Sequence, residues 1–306
     1  MLVFDCDPGT DDACALFVMM RHGMQPDVCL STYGNASLAT THRNLRLLVS
    51  YFGATSRLAK GCEASLSGTI PSCGGFHGSD GLAEVSSELA SSYIPNMENA
   101  PMDLSDVAKA ILSSYSVTYI VTAPLTNLAT LLDQYPQIKS HIRQVYAMGG
   151  GLHWFNMKHQ TEYNFYSDPK AVQKILASGL DMTLFPLDLT QTKAILTASQ
   201  IDALAQMGTC RPMIRILRQI HDANVNLEGS PGAVVHDLLP VLYALDKSSF
   251  SITDMHLLVD KWGHIYENPR GYMVHVATGL DTAAFYQSIC QSFGACQSNC
   301  ISDDFL

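Results

Sequence analysis

Apolar positions recur along this chain in two rhythms. Short unbroken apolar runs at Leu2–Phe4, Val28–Tyr33, Val117–Val121, Val145–Met148 and Met182–Leu187 read as buried strands. Between them, apolar residues return every three or four positions. Ala13, Leu16, Phe17 and Met20 lie within Asp11–His22, which closes at Gly23, and Leu45, Leu48 and Val49 lie within Leu38–Tyr51, closed by Gly53. Ser105 stands where an N-cap would open a helix through Ser114. Pro124 suits the first turn of a helix over Leu125–Leu132, and Pro169–Ala177 reads as another. Strands that alternate with helices and are apolar on both faces predict an α/β fold. Its central sheet should be open, Rossmann-like and mostly parallel, with helices on either side. The later part is more helical (Ile201–Met207, Met213–His221, Leu238–Leu245), then offers strands at His256–Val259 and Tyr272–Val276 and a last helix over Thr282–Phe293. No repeat or linker interrupts the pattern, so residues 1–306 read as a single domain. The Gly/Ser-rich stretch from Ser65 to Ser79 is the expected mobile loop.

Composition narrows this picture. Hydrophobic residues make up 47% of the chain, enough for a core, and 15% are charged, where about 25% is usual. Eighteen Lys+Arg face 28 Asp+Glu, a net charge of −10 with no basic run, which speaks against a broad nucleic-acid interface. No apolar run reaches the ~18 residues that span a bilayer. The opening Met1-Leu2-Val3-Phe4-Asp5 enters a strand at once, leaving no room for a targeting segment. The nine cysteines are odd in number and often sit in apolar runs, the pattern of reduced thiols. Cys290, Cys296 and Cys300 match no zinc spacing. The expectation is a cytoplasmic protein without membrane or nucleic-acid partners.

The densest chemistry is Asp5-Cys6-Asp7-Pro8-Gly9-Thr10-Asp11-Asp12, four carboxylates in eight residues between a strand and a helix. Ligands of open α/β sheets bind beyond the carboxyl ends of strands. Carboxylates this close raise one another's pKa, and a cation relieves the repulsion. Hard oxygen donors favour Ca²⁺ or Mg²⁺ over zinc. A helix start with Thr10 as cap and acids favoured by the dipole explains Asp11 and Asp12. It leaves Asp5 and Asp7 unexplained.

Asp5-Cys6-Asp7-Pro8-Gly9-Thr10-Asp11-Asp12-Ala13 resembles the opening signature of the nucleoside hydrolases, the inosine–uridine type N-ribohydrolases. Six further elements resemble that family in its order. They are Gly34-Asn35; Thr122-Ala123-Pro124-Leu125-Thr126-Asn127-Leu128-Ala129; Met148-Gly149-Gly150; Glu162-Tyr163-Asn164 with Asp168-Pro169; Pro186-Leu187-Asp188-Leu189-Thr190; and His236-Asp237. The resemblance implies one Ca²⁺ held by Asp7, Asp12, the Thr122 carbonyl and Asp237. Asp7 would also be the general base on a metal-bound water attacking C1′ of a ribosyl group. Asp11, Asn35, Met148, Asn156, Glu162, Asn164 and Asp237 would bind substrate. His236 would protonate the leaving base, with a core histidine as the alternative. His77 matches a second pocket histidine, and a solvated loop residue is its alternative. The family also implies a homo-oligomer, dimer or tetramer, acting on small-molecule ribonucleosides.

Ala123 departs from the family's usual glycine. Asn224-Val225-Asn226-Leu227-Glu228-Gly229 is amide-rich where relatives often contact the base. Trp154 reads as packing rather than a stacking platform, His153 and His159 as structural, and Ser302-Asp303-Asp304 as a frayed end. Two rival functions stay open. Asp5-x-Asp7-x-Gly9-Thr10 superficially resembles the nucleophile loop of haloacid dehalogenase-type phosphatases, but Pro8 is extra and Asp11-Asp12 repel phosphate. A ribose- or nucleoside-binding protein without turnover is the second.

Overall fold

The computed structural model describes residues 1–69, 76–91, 100–207 and 210–294. Among the described residues eleven strands run β1 (Leu2–Cys6), β2 (Val28–Ser31), β3 (Arg57–Lys60), β4 (Val117–Val121), β5 (Ile142–Met148), β6 (Met182–Phe185), β7 (Ile195–Leu196), β8 (Ala233–Val234), β9 (Phe250–Val259), β10 (Ile265–Glu267) and β11 (Tyr272–Leu280). Nine form one sheet in the order β10-β9-β11-β6-β5-β4-β1-β2-β3, and β7 and β8 pair as a separate ribbon. From β3 to β11 neighbouring strands are parallel. Within that sheet β9 alone runs against the others, antiparallel to β11 on one side and to β10 on the other. This is the mostly parallel α/β sheet expected from the alternation.

Side-chain alternation divides the core. On β1, Phe4 and Cys6 join a buried cluster with the helices Thr10–Arg21, Leu38–Tyr51, Arg211–Ala223 and Leu238–Leu245. Val3 points the other way, among Leu104–Leu112, Thr126–Gln134 and Pro169–Ser178. Both faces of the sheet are therefore covered, which is why its strands read as unbroken apolar runs. The chain order reverses between β1 and β4. Loops leaving the carboxyl ends of these two strands diverge to opposite faces and open a crevice, where α/β sheets bind ligands.

Several boundaries differ from the sequence reading. The cap after residue 100 is Asp103, whose carboxylate accepts from the Asp106 amide at 3.0 Å. Ser105 instead lies inside the first turn and donates to Asp103. Gly9, not Thr10, precedes the first helix, and the Asp12 carboxylate reaches back to its amide at 2.9 Å. Strand β6 stops at Phe185, because Pro186 has no amide to donate to the ladder; the helix Leu187–Lys193 starts there. The expected thiols Cys73, Cys296 and Cys300, the tail Ser302-Asp303-Asp304 and the centre of the loop over 65–79 lie outside the described residues. Cys6, Cys14, Cys29, Cys62, Cys210 and Cys290 are free thiols. Among the described residues no helix is long and apolar enough to cross a membrane.

Candidate active site

A cavity of about 320 Å³ opens at the crevice between β1 and β4. Its lining includes Asp11, Asn35, His77, Thr122, Met148, Asn156, Glu162, Asn164, His236 and Asp237, ten of the residues singled out in the sequence. Asp7 and Asp12 do not line it; both are buried beneath. Asp5, counted with them in the sequence, turns away. It is still within β1, so its carboxylate meets the neighbouring strand and accepts from the Tyr119 hydroxyl and the Asn127 amide, each at 2.7 Å. Burial raises Asp5 to about 7 against those bonds. The acid cluster is thus Asp7, Asp11 and Asp12, completed from far along the chain by Asp237.

Each acid is held by named donors. The Asn35 amide donates to Asp7 at 2.7 Å. That approach requires Gly34, whose backbone has φ +155 and where a Cβ would lie 1.8 Å from the Asp7 carboxylate. Asp12 accepts from the Thr122 hydroxyl at 2.7 Å and the Asn35 side-chain amide at 3.2 Å. Asn164 donates to the carbonyls of Thr122 at 3.2 Å and Met148 at 3.3 Å, tying the ends of β4 and β5 together. Glu162 caps a short helix, Tyr163–Ser167, and accepts three amides: Gly150 at 2.8 Å, Asn164 at 2.9 Å and Phe165 at 3.1 Å. Burial nevertheless lifts it to about 7.

One carboxylate oxygen from each of Asp11, Asp12 and Asp237 falls within 4.8 Å of the others. A Ca²⁺ ion binds oxygens at about 2.3–2.6 Å, so it can bridge atoms spaced this way. Asp11 Oδ1 is buried with no hydrogen-bond partner among the described residues. Burial first, then Asp12, raises Asp11 to about 7. Burial raises Asp12 to about 6. Asp237 is pushed well up by burial, then by Asp11, Asp12 and Asp7. An all-oxygen, mutually repelling, orphan-bearing set of this kind fits a hard divalent cation.

The two histidines enter from different segments. His236 Nδ1 meets the Thr190 hydroxyl at 2.8 Å, and His77 Nδ1 meets the Thr10 hydroxyl at 2.7 Å. Burial lowers each ring to about 4, His236 adding to the effect on His77. The sequence offered Thr10 only as a helix cap and Thr190 only as part of a motif; the fold puts both behind the rings. Phe76, Met157 and Tyr163 also line the cavity unannounced. Tyr163 donates from its hydroxyl to the Gly34 carbonyl at 2.7 Å. Trp154 is about half exposed and does not line the cavity. His159 stacks on Trp262 at 4.3 Å, and the His153 amide donates to Asp188.

Fold and site together define an open α/β enzyme with an acidic, polyol-compatible crevice at its switch point. The profile of the inosine-uridine preferring nucleoside hydrolases matches residues 2–287, and the chain belongs to that family, hydrolases of the ribonucleoside N-glycosidic bond. It is 28% identical over 305 residues to an inosine-uridine preferring nucleoside hydrolase of Crithidia fasciculata, covering 93% of this chain and 94% of that one. It is 27% identical over 301 residues to a non-specific ribonucleoside hydrolase of Escherichia fergusonii, covering 95% and 97%. A solved plant nucleoside hydrolase superposes with a TM-score of 0.86 at 20% identity, covering 96% and 98%. A purine-preferring ribonucleoside hydrolase from Gardnerella vaginalis gives 0.84 at 22%, covering 96% and 99%. At that identity the structures speak for the fold alone.

Proposed function

We propose that this chain is a Ca²⁺-dependent ribonucleoside hydrolase that uses Asp7 as general base and His236 as the proton donor to the leaving base. The observation that carries the reading is the convergence, in one cavity, of separate segments bearing acids, amides and histidines above buried carboxylates. Asp7, Asp12, Asp237 and the Thr122 carbonyl would hold the cation, with Asp11 beside them. Bound there, the ion would offset the acids' repulsion and make a water easier to deprotonate.

Asp7 is fixed from behind by the Asn35 amide, so its carboxylate is set to take the proton from the attacking water. Asp11, Asn35, Asn156, Glu162 and Asn164 supply acceptors and donors for ribose hydroxyls, with Met148 against the sugar. Grip on the sugar can be used to distort it toward an oxocarbenium-like geometry. Water is the nucleophile at C1′, the bond to the base nitrogen breaks, and the departing base takes the proton. Negative charge developing on the base favours a proton on His236 despite the ring's burial. The Thr190 hydroxyl can donate to Nδ1 or accept from it, so His236 keeps this bond in either protonation state.

The reading includes broad base acceptance in salvage, a cytoplasmic setting and a homo-oligomer. Inosine, adenosine, guanosine, uridine and cytidine assayed for free base test it, and mass in solution tests the assembly. Asp7→Asn should reduce base release by about a thousandfold or more while leaving the circular dichroism spectrum intact. Undiminished turnover in that variant overturns the role of Asp7. Phosphate release from p-nitrophenyl phosphate without base release would favour the phosphatase reading.

A further inference from the structure

We propose that Thr10 is a positioning residue that locks His77 into one tautomer, making the ring a fixed Nε2–H donor to the base of the substrate. The inference rests on the ribonucleoside reading above and deepens it. The Thr10 backbone amide donates to His77 Nδ1 at 3.2 Å, and the Thr10 hydroxyl lies 2.7 Å from the same atom. An amide N–H can only donate. A proton on Nδ1 would meet the amide hydrogen head-on, so Nδ1 must accept and the ring proton must sit on Nε2.

The local fold explains why the amide is available. Thr10 is the first residue of the helix Thr10–Arg21, where amides have no carbonyl one turn earlier. The imidazole takes the place of that missing acceptor. Gly9 lets the ring come this close: a Cβ there would lie 2.9 Å from both Cε1 and Nδ1 of His77. Thr10 is fully buried and His77 is 7% exposed, so water does not compete for the contact. His77 lines the cavity while Thr10 occupies Nδ1 from behind, which leaves Nε2 for a ligand.

His236 differs in kind. Its Nδ1 faces a hydroxyl, which can turn round, whereas His77 faces an amide, which cannot. The two rings therefore divide the work at the base. His236 exchanges a proton, and His77 offers a constant hydrogen bond to an acceptor such as a ring nitrogen or carbonyl oxygen. That donor favours nucleosides over ribosides whose leaving group lacks an acceptor there.

Long-range ¹H–¹⁵N NMR of the full-length, histidine-labelled enzyme reads the tautomer directly. Wild type should show His77 with bare Nδ1 and protonated Nε2. Thr10→Val keeps the amide and should keep the tautomer. Thr10→Pro removes amide and hydroxyl at a helix position that tolerates proline, and should let the Nδ1–H form appear. Thr10→Pro should lower kcat/KM for inosine and uridine about tenfold, the worth of one hydrogen bond, and change p-nitrophenyl riboside hydrolysis less than about twofold. A wild-type ring protonated on Nδ1 overturns the lock, as does a Thr10→Val ring that changes tautomer. Equal losses on both substrates, or none on nucleosides, overturn the role at the base. If Thr10→Pro does not fold, the wild-type and Thr10→Val spectra still decide the lock. Absence of base release from every nucleoside in wild type would instead sink the parent reading, with the spectrum still reporting on Thr10.

Discussion

Asp5 and Asp7 are two residues apart and chemically identical, yet their environments separate them. Asp5 is inside the sheet, between Tyr119 and Asn127, while Asp7 lies past the strand end against the Asn35 amide. Spacing alone could not tell these apart, because the difference is where β1 stops. His236 is a second case. Its Thr190 partner is forty-six residues away in sequence. His236→Ala should slow natural nucleosides by about a hundredfold or more, within the range of general-acid losses, and slow p-nitrophenyl riboside far less. Equal losses would remove the ring from leaving-group protonation. A buried histidine outside the site gives a pH prediction. Burial, then Lys60 and Arg46, lowers His42 from 6.5 to about 4, while its Nδ1 contacts the Ser31 hydroxyl at 2.9 Å. The unfolded chain takes up this proton below pH 6.5 and the folded chain does not. Stability tied to His42 is therefore complete above that pH and falls as the pH drops toward 4. Urea titrations across this window should show a shallower fall for His42→Asn than for wild type.

At the scale of elements, the helices and strands with long apolar patterns were legible and the short ones were not. Strand β3 is Arg57-Leu58-Ala59-Lys60, an edge strand with its two basic ends exposed, so it carries almost no apolar run. Strand β10 has three residues and exists because the turn at Asp260–His264 folds it back on β9. The same turn supports the site loop. Trp262 stacks on His159, and His264 Nδ1 contacts the Gln160 carbonyl at 2.6 Å, close behind Asn156 and Met157. The cap of the helix Leu104–Leu112 gives a direct check. Asp103→Ala should cost about 1 kcal/mol in urea unfolding, the usual worth of an N-cap, and Ser105→Ala distinctly less. The reverse ranking would return the cap to Ser105.

For the whole molecule, the net charge of −10 acquires a location. Asp7, Asp11, Asp12, Glu162 and Asp237 gather in or under one cavity, whose lining contains no Lys or Arg among the described residues. A 5′-phosphate entering there would meet acids and no cationic cradle. Inosine should therefore be hydrolysed at least about a hundredfold faster than its 5′-monophosphate, by kcat/KM, a gap of roughly 2.7 kcal/mol. Comparable rates would show a phosphate site elsewhere in the crevice. Rigorous chelation should remove activity and Ca²⁺ restore it, with metal analysis of the purified protein as the independent measure.

By itself the sequence determined the alternation of strands and helices, because a strand covered on both faces must be apolar throughout and a covering helix must be apolar on one side. It also carried the motifs, since Gly34-Asn35 and four carboxylates clustered within eight residues leave their mark in residue identity. What the tertiary structure alone decided was partnership. Thr10 and His77, Thr190 and His236, and Asp237 with Asp11 and Asp12 are contacts between segments far apart in the chain. They arise because segments following different strands, β1, β6 and β8 among them, meet at one cavity. Local pattern records which residues are available; hydrogen-bond direction, burial and pKa depend on what the fold places against them.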